Sequence, residues 1–405
     1  MKIGVDLRPL QNGHKYRGIG EVAKQVTNRI LVLAAKEKDV EFVFFENDED
    51  DPKELLDVPK SLKYSVVKLG PMAENDTNAT KGQKLRRNLT EVYGNPLKQA
   101  GMCDVFLQYD YAAGVPKNTK TLLVKHDLIP YLFWDRYFES AWVPFKNRAV
   151  RTTLRTIFAN HKFTYQLRRA LKNAHVIMSV SENTKKDIEK YFGVNSKKSK
   201  VALLGVDVKP AKTNDISPEI KEKLPTKPYL LWVGAGDARR RLDDAIAAFN
   251  NLKAAGRDIQ LVLVGENYKA PEKIPNVVVR NAVLGSSYKK DIVTLGYVDD
   301  VTKQKLFREA IAFVFPTKYE GFGIPVLEAM LMECPIIVYK NSSVPEVGGE
   351  YALYAKDWND IKEHVEKLLD HPMSQQRKHA AKKHAEQFTW DKTAKVIYDE
   401  LLSLK

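Results

Sequence analysis

The chain has 405 residues, of which 44% are hydrophobic and 10% aromatic, a length that suits two folded domains and a composition that excludes a disordered protein. The net charge of +14 is uneven: residues 1–208 carry 35 Lys and Arg against 24 Asp and Glu, and residues 209–405 carry 30 against 27. Two cysteines, Cys103 and Cys334, are too few for a disulfide framework or a metal cluster and fit a reducing compartment.

The opening MKIGVDLRPL lacks a long apolar leader core, and no run of about 18 uncharged apolar residues follows. A cytoplasmic protein is expected, in which the sequons at Asn75 and Asn88 have no role. The basic first half could serve nucleic acid, an anionic membrane surface or nothing specific, and no recognised nucleic-acid motif accompanies it.

Strands are predicted at Ile3–Leu7, Glu41–Phe45, Asp104–Gln108, Thr121–Lys125 and His175–Val180, and again at Tyr229–Val233, Gln260–Val264, Ala312–Phe315 and Pro335–Tyr339. Short apolar runs alternating with helical patterns predict an α/β chain of parallel sheets covered by helices. The polar, proline-containing stretch Val208–Lys227 reads as the linker. Ligands of such folds bind outside the carboxyl ends of the strands, so the cleft between two such domains is where chemistry is expected.

Arg17-Gly18-Ile19-Gly20 opens a G-x-G-x-x-A pattern. A dinucleotide fingerprint needs its first glycine almost at the strand end, and ten residues separate Leu7 from Gly18. A helix-start turn, or a loop over the cleft, fits better. His126-Asp127 directly follows the strand TLLVK, which places both at a carboxyl end; His126 is either a hydrogen-bonded structural residue or a ligand-contacting one.

Residues 141–172 hold eight Lys and Arg and no Asp or Glu. Arg148, Arg151 and Arg155 recur at helical spacing, and Trp134 and Trp142 belong to the aromatic cluster in and before this stretch. This is either a solvated helix face or an interfacial element for an anionic membrane.

After the strand Tyr229–Val233 come Gly234-Ala235-Gly236-Asp237 and then Ala238 with Arg239, Arg240 and Arg241. Guanidinium forks at a strand-to-helix turn suit phosphate oxygens, although a solvated charge run has the same appearance. The most informative stretch is Phe313–Gly348. A buried strand leads into Glu320-Gly321-Phe322-Gly323, and a helix follows with Pro325 in its first turn, where proline is tolerated. Glycines let the backbone approach a ligand, and a helix start near Ile324 offers unpaired N–H groups and a positive dipole end. Glu320 and Glu328 lie eight residues apart, too far along a loop and helix to flank one bond as in a retaining glycosidase. They read as groups with two separate tasks.

The order Glu-x7-Glu, then Ser-Ser-Val-Pro-Glu-Val-Gly, resembles the signature of retaining glycosyltransferases of family 4, which have the GT-B fold. The likeness extends to Arg17–Gly20, His126–Pro130, Val180–Thr184, Val233-Gly234, Gly296–Val298 and Phe388–Trp390. It implies two Rossmann-like domains facing across a cleft: an acceptor-side domain over 1–208, joined by a returning helix at 388–405, and a nucleotide-sugar-binding domain over 209–387. It implies that His126 contacts the transferred sugar, with Asp127 orienting it or approaching the acceptor hydroxyl. Glu320 would meet the donor sugar and Glu328 the ribose hydroxyls. Arg239, Arg240 and the helix start near Ile324 would bear the charge of the donor diphosphate. Gly18 and Gly20 would lie near that diphosphate and the acceptor, and the Gly321–Gly323 turn, through the Phe322 and Gly323 N–H groups, would serve sugar hydroxyls or the diphosphate. Ala235 departs from the family, whose members often have arginine there, and Arg240 stands where lysine is usual.

The resemblance further implies a metal-independent hexosyltransferase with no cofactor beyond its donor, GDP-mannose or a UDP-hexose. The acceptor expected is a lipid-linked glycan or polysaccharide precursor, reached from the membrane's inner face. A transferase acting on a soluble acceptor, or a non-catalytic sugar-nucleotide-binding member, is the alternative.

Overall fold

The apolar runs become the inner strands of two all-parallel sheets, one of seven strands and one of six, in the computed structural model. The structure describes residues 1–11, 18–37, 39–47, 51–69, 80, 83, 97–109, 115–133, 150–207 and 216–405, with backbone alone for 150–160. Arg17, Trp134, Trp142 and Arg148 lie outside the described residues, as do the side chains of Arg151 and Arg155. The chain forms two compact units, Met1–Gly205 with Trp390–Lys405, and Val206–Thr389. The division falls three residues before the boundary expected at 208, and the return falls at Trp390 where 388 was expected.

In the first unit the strands are β1 (Lys2–Asp6), β2 (Glu41–Glu46), β3 (Lys63–Lys68), β4 (Val105–Tyr109), β5 (Lys120–Lys125), β6 (Val176–Ser179) and β7 (Ser199–Val201), in the order β3-β2-β1-β4-β5-β6-β7. Among helices of two turns or more, α1 spans Gly18–Ala34, α2 Val150–Asn173 and α3 Glu182–Phe192. Along α1, Val22, Ala23, Val26, Ile30 and Leu31 are buried, a spacing of three and four that puts one apolar stripe on the sheet. Gly18 and Gly20 fall in the first turn of that helix, the helix-start alternative of the two expected for them.

Helix α3 starts because the Ser181 hydroxyl accepts from the Thr184 N–H at 3.1 Å, and it ends at Gly193, whose φ of +64° suits glycine.

In the second unit the strands are β8 (Tyr229–Val233), β9 (Gln260–Val264), β10 (Ile292–Gly296), β11 (Ala312–Phe315), β12 (Ile336–Tyr339) and β13 (Leu353–Ala355), ordered β10-β9-β8-β11-β12-β13. Helices α4 (Leu242–Ala254), α5 (Val277–Leu284), α6 (Asp300–Glu309), α7 (Ile324–Leu331), α8 (Trp358–Asp370) and α9 (Gln375–Ala385) belong to this unit. One core is built around Trp232, Phe249, Leu261, Leu263, Tyr268 and Val314. The chain enters and leaves the unit side by side, with the Val206 N–H donating to the Phe388 carbonyl at 3.2 Å. The last helix, α10 (Trp390–Ser403), then packs on α1 of the first unit, burying Trp390, Ala394, Ile397 and Leu401.

Candidate active site

In a parallel sheet every strand delivers its following loop to the same rim, and the second unit gathers its charged residues there. At the end of β8, Gly234 has a φ of +154°, and a Cβ on it would strike the Arg240 guanidinium. Glycine therefore lets Arg240 lie across the strand end, where its guanidinium also sits 5.7 Å over the Phe315 ring. The Asp237 side chain accepts from the Arg239 N–H at 2.9 Å and shapes the short turn Ala238–Arg240.

The β11–α7 loop is fixed by side chains from two other connections. Arg239 is buried, and its Nη1 donates to the Tyr319 carbonyl, to Thr317 Oγ1 at 3.2 Å and to Glu320 Oε1 at 2.8 Å. Arg240 Nε lies 3.3 Å from the same carboxylate oxygen. From the β12 side, Ser342 Oγ accepts from the Glu320 N–H at 2.9 Å, and the Ser343 hydroxyl lies 2.9 Å from the Glu320 carbonyl and 2.8 Å from that of Phe322. Phe322 is buried and meets the Phe388 ring edge-on at 6.0 Å. Gly323, with a φ of +110°, turns the chain into α7 with no side-chain cap; Pro325 has no N–H, and the Val326 N–H donates to the Gly323 carbonyl at 2.9 Å.

Glu328 has its own cation. Lys303 Nζ of α6 is 2.9 Å from Glu328 Oε1. The two glutamates, eight residues apart in sequence, have different partners within the protein.

In the first unit, His126 is buried at the end of β5, and its carbonyl accepts from the Thr184 hydroxyl at 3.2 Å. The helix cap of α3 therefore also anchors the His126 backbone. Asp127 Oδ1 accepts from the Ile129 N–H at 2.8 Å, which ties it to the first residue of the turn Ile129–Leu132 and gives the carboxylate a local structural task. Burial pushes the Cys103 and Cys334 thiols up to about 12, so neither supplies a thiolate near neutral pH.

Of the expected site residues, Glu320, Arg239, Arg240 and the Gly321–Ile324 turn come together. Arg239 is buried and braces the loop, and Arg240 is the more accessible guanidinium. Lys303, Thr317, Ser342 and Ser343 had no role in the sequence reading. The two serines stood inside the quoted Ser-Ser-Val-Pro signature, whereas Lys303 gave no signal short of knowing that α6 packs beside α7.

Two parallel-sheet α/β units with these strand orders define the GT-B architecture of glycosyltransferases. Sucrose-phosphate synthase from Thermosynechococcus elongatus superposes over 100% of both chains with a TM-score of 0.65 at 16% identity. The Anabaena protein HepE, solved with UDP and glucose, does so over 100% of both with a TM-score of 0.63 at 14% identity. Residues 214–387, a little under half of the chain, match the family model described as glycosyl transferases group 1. Among relatives, the O-antigen chain mannosyltransferase B of Escherichia coli is 28% identical over 231 residues, 56% of this chain and 60% of that protein. The matched stretches span 34–64% of the length of the first curated relatives.

Proposed function

We propose that this protein is a retaining glycosyltransferase of family 4 that moves a hexose from a nucleotide-sugar to an acceptor hydroxyl. The observation that carries the reading is the Glu320 carboxylate, held by Arg239 and Arg240 beside the start of α7. A nucleoside diphosphate laid against that helix start would find N–H groups, the dipole end and the Arg240 guanidinium. Glu320 would face the donor sugar as positive charge develops on it, and Glu328 would accept from the ribose hydroxyls. The leaving diphosphate would take the acceptor's proton on the same face, its growing charge borne by Arg240 and the N–H groups near Ile324. His126 is proposed to contact the transferred sugar and Asp127 to hold the turn behind it. No resident metal ion or cofactor enters this scheme.

Mannose from GDP-mannose is the donor we place first, supported by the mannosyltransferase relatives. A UDP-hexose follows, supported by the UDP and glucose bound to HepE. The acceptor is proposed to be a lipid-linked glycan, met at an anionic membrane surface through the basic stretch that includes Arg148, Arg151 and Arg155. Among the described residues no helix is long and apolar enough to cross a membrane.

The test is calorimetry and turnover with a panel of GDP-, UDP- and ADP-sugars in excess chelator, followed by the anomeric configuration of the product. Binding and transfer from one donor with retention is expected. Failure to bind any nucleotide-sugar, or inversion, overturns the reading.

A further inference from the structure

The β10–α6 and β11–α7 connections leave the same rim of the second sheet, because both strands run parallel to their neighbours. Lys303 stands in the first turn of α6, and its ammonium is shared between Glu328 Oε1 at 2.9 Å and Asp300 Oδ1 at 3.1 Å. The Lys303 and Glu328 side chains are 25% and 19% exposed, whereas Asp300 is 84% exposed. Burial disfavours the Lys303 ammonium, but the Glu328 and Asp300 carboxylates outweigh it and push its pKa up to about 12. The lysine is therefore charged at any working pH.

A glutamate side chain turns about three bonds, and a carboxylate that must read a diol has to be held within a few tenths of an ångström. Capturing one oxygen from a neighbouring helix removes most of that freedom before the ligand arrives. Asp300, the exposed partner, cannot replace this contact, since its oxygen is on the helix that already carries Lys303.

We propose that Lys303 is a positioning residue for nucleotide recognition, which fixes the Glu328 carboxylate in the orientation that accepts hydrogen bonds from the ribose hydroxyls. The inference rests on the role given to Glu328 above and adds the group that makes this role effective. A purely structural pair, pinning α6 to α7, would affect stability and every ligand alike. A positioning residue affects the distinction between ribose and deoxyribose.

The experiment compares GDP with 2′-deoxy-GDP, and UDP with 2′-deoxy-UDP, by calorimetry on the full chain. The variants are Lys303→Met, Lys303→Arg and Glu328→Gln, each checked for folding by its melting transition. The wild type is expected to prefer the ribonucleotide by about tenfold or more, the value of a hydrogen bond to a charged group. Lys303→Met should bring the preference to within about twofold, as should Glu328→Gln, and Lys303→Arg should restore most of it. If Glu328→Gln abolishes the preference while folded Lys303→Met keeps it, Lys303 is structural and the inference alone fails. A wild type that binds nucleotide without any ribose preference removes the Glu328 role and the inference together. If neither nucleotide binds, the functional reading itself is wrong. Should Lys303→Met not fold, a preference unchanged in Lys303→Gln would count against the inference in the same way.

Discussion

Arg239 and Glu320 meet at 2.8 Å with side chains only 4% and 12% exposed, so the carboxylate assigned to the sugar is held by a guanidinium nearly withdrawn from water. The pair joins the loop after β8 to the loop after β11. Because Arg239 also donates to Thr317 Oγ1 and the Tyr319 carbonyl, the shape of the second loop depends on a residue of the first.

Removing that brace should cost stability before it costs chemistry. Arg239→Met leaves the largely buried Glu320 carboxylate with Arg240 as its cation and the Thr317 hydroxyl at 3.2 Å, and breaking one side of a buried pair costs about 3–5 kcal/mol. Denaturant unfolding followed by Trp fluorescence should show a loss of this size. A loss under about 1 kcal/mol would mean the loop holds its shape without Arg239.

Arg240 differs in being reachable from solvent. Arg240→Ala should weaken a nucleoside diphosphate by about tenfold or more and leave the nucleoside nearly unchanged, because the guanidinium is assigned to phosphate oxygens. Calorimetry with GDP against guanosine, or UDP against uridine, makes the comparison. Equal weakening of both ligands would make Arg240 a structural residue.

The two glutamates should separate kinetically. Glu320→Gln retains an oxygen that can accept from Arg239 but removes the charge proposed to face the sugar, so turnover should fall on the order of a hundredfold with nucleotide affinity little changed. Glu328→Ala should instead lower nucleotide affinity by about ten- to a hundredfold. If both variants lose bare-nucleotide affinity equally, the division of tasks is mistaken.

The basic stretch gives a test at the membrane. At about 1 kcal/mol for each basic residue near an anionic leaflet, replacing Arg148, Arg151 and Arg155 with glutamine should remove much of the vesicle binding. Sedimentation with phosphatidylserine vesicles should report binding that rises with anionic lipid and falls with salt, while donor hydrolysis in solution continues. A protein that ignores such vesicles at low salt has only a solvated helix face there.

The strands that the sequence reading found and those it lacked divide along one physical line. All nine predicted strands are present, and each lies inside a sheet, where burial on both faces demands a continuous apolar run. The four it lacked, β3, β7, β10 and β13, are the four sheet edges. Lys63–Lys68 has no fully buried residue, and Ser199–Val201 and Leu353–Ala355 are three residues long, so their apolar signal is too weak to stand out from a loop.

The site divides in a similar way. The residues of Glu320–Gly323, Pro325 and Glu328 were legible because glycines, a first-turn proline and carboxylates at a fixed spacing are local features that the backbone must obey wherever the loop sits. What those carboxylates touch was not local. Arg239 is buried and donates to the Tyr319 carbonyl and Glu320, contacts that no local pattern announces. Lys303 is 25 positions from Glu328 and meets it only because α6 and α7 pack side by side. Sequence fixed the chemistry available at the rim through residue type and short-range spacing. Tertiary structure decided which charges face one another, because that depends on how strands widely separated in the chain are ordered in the sheet.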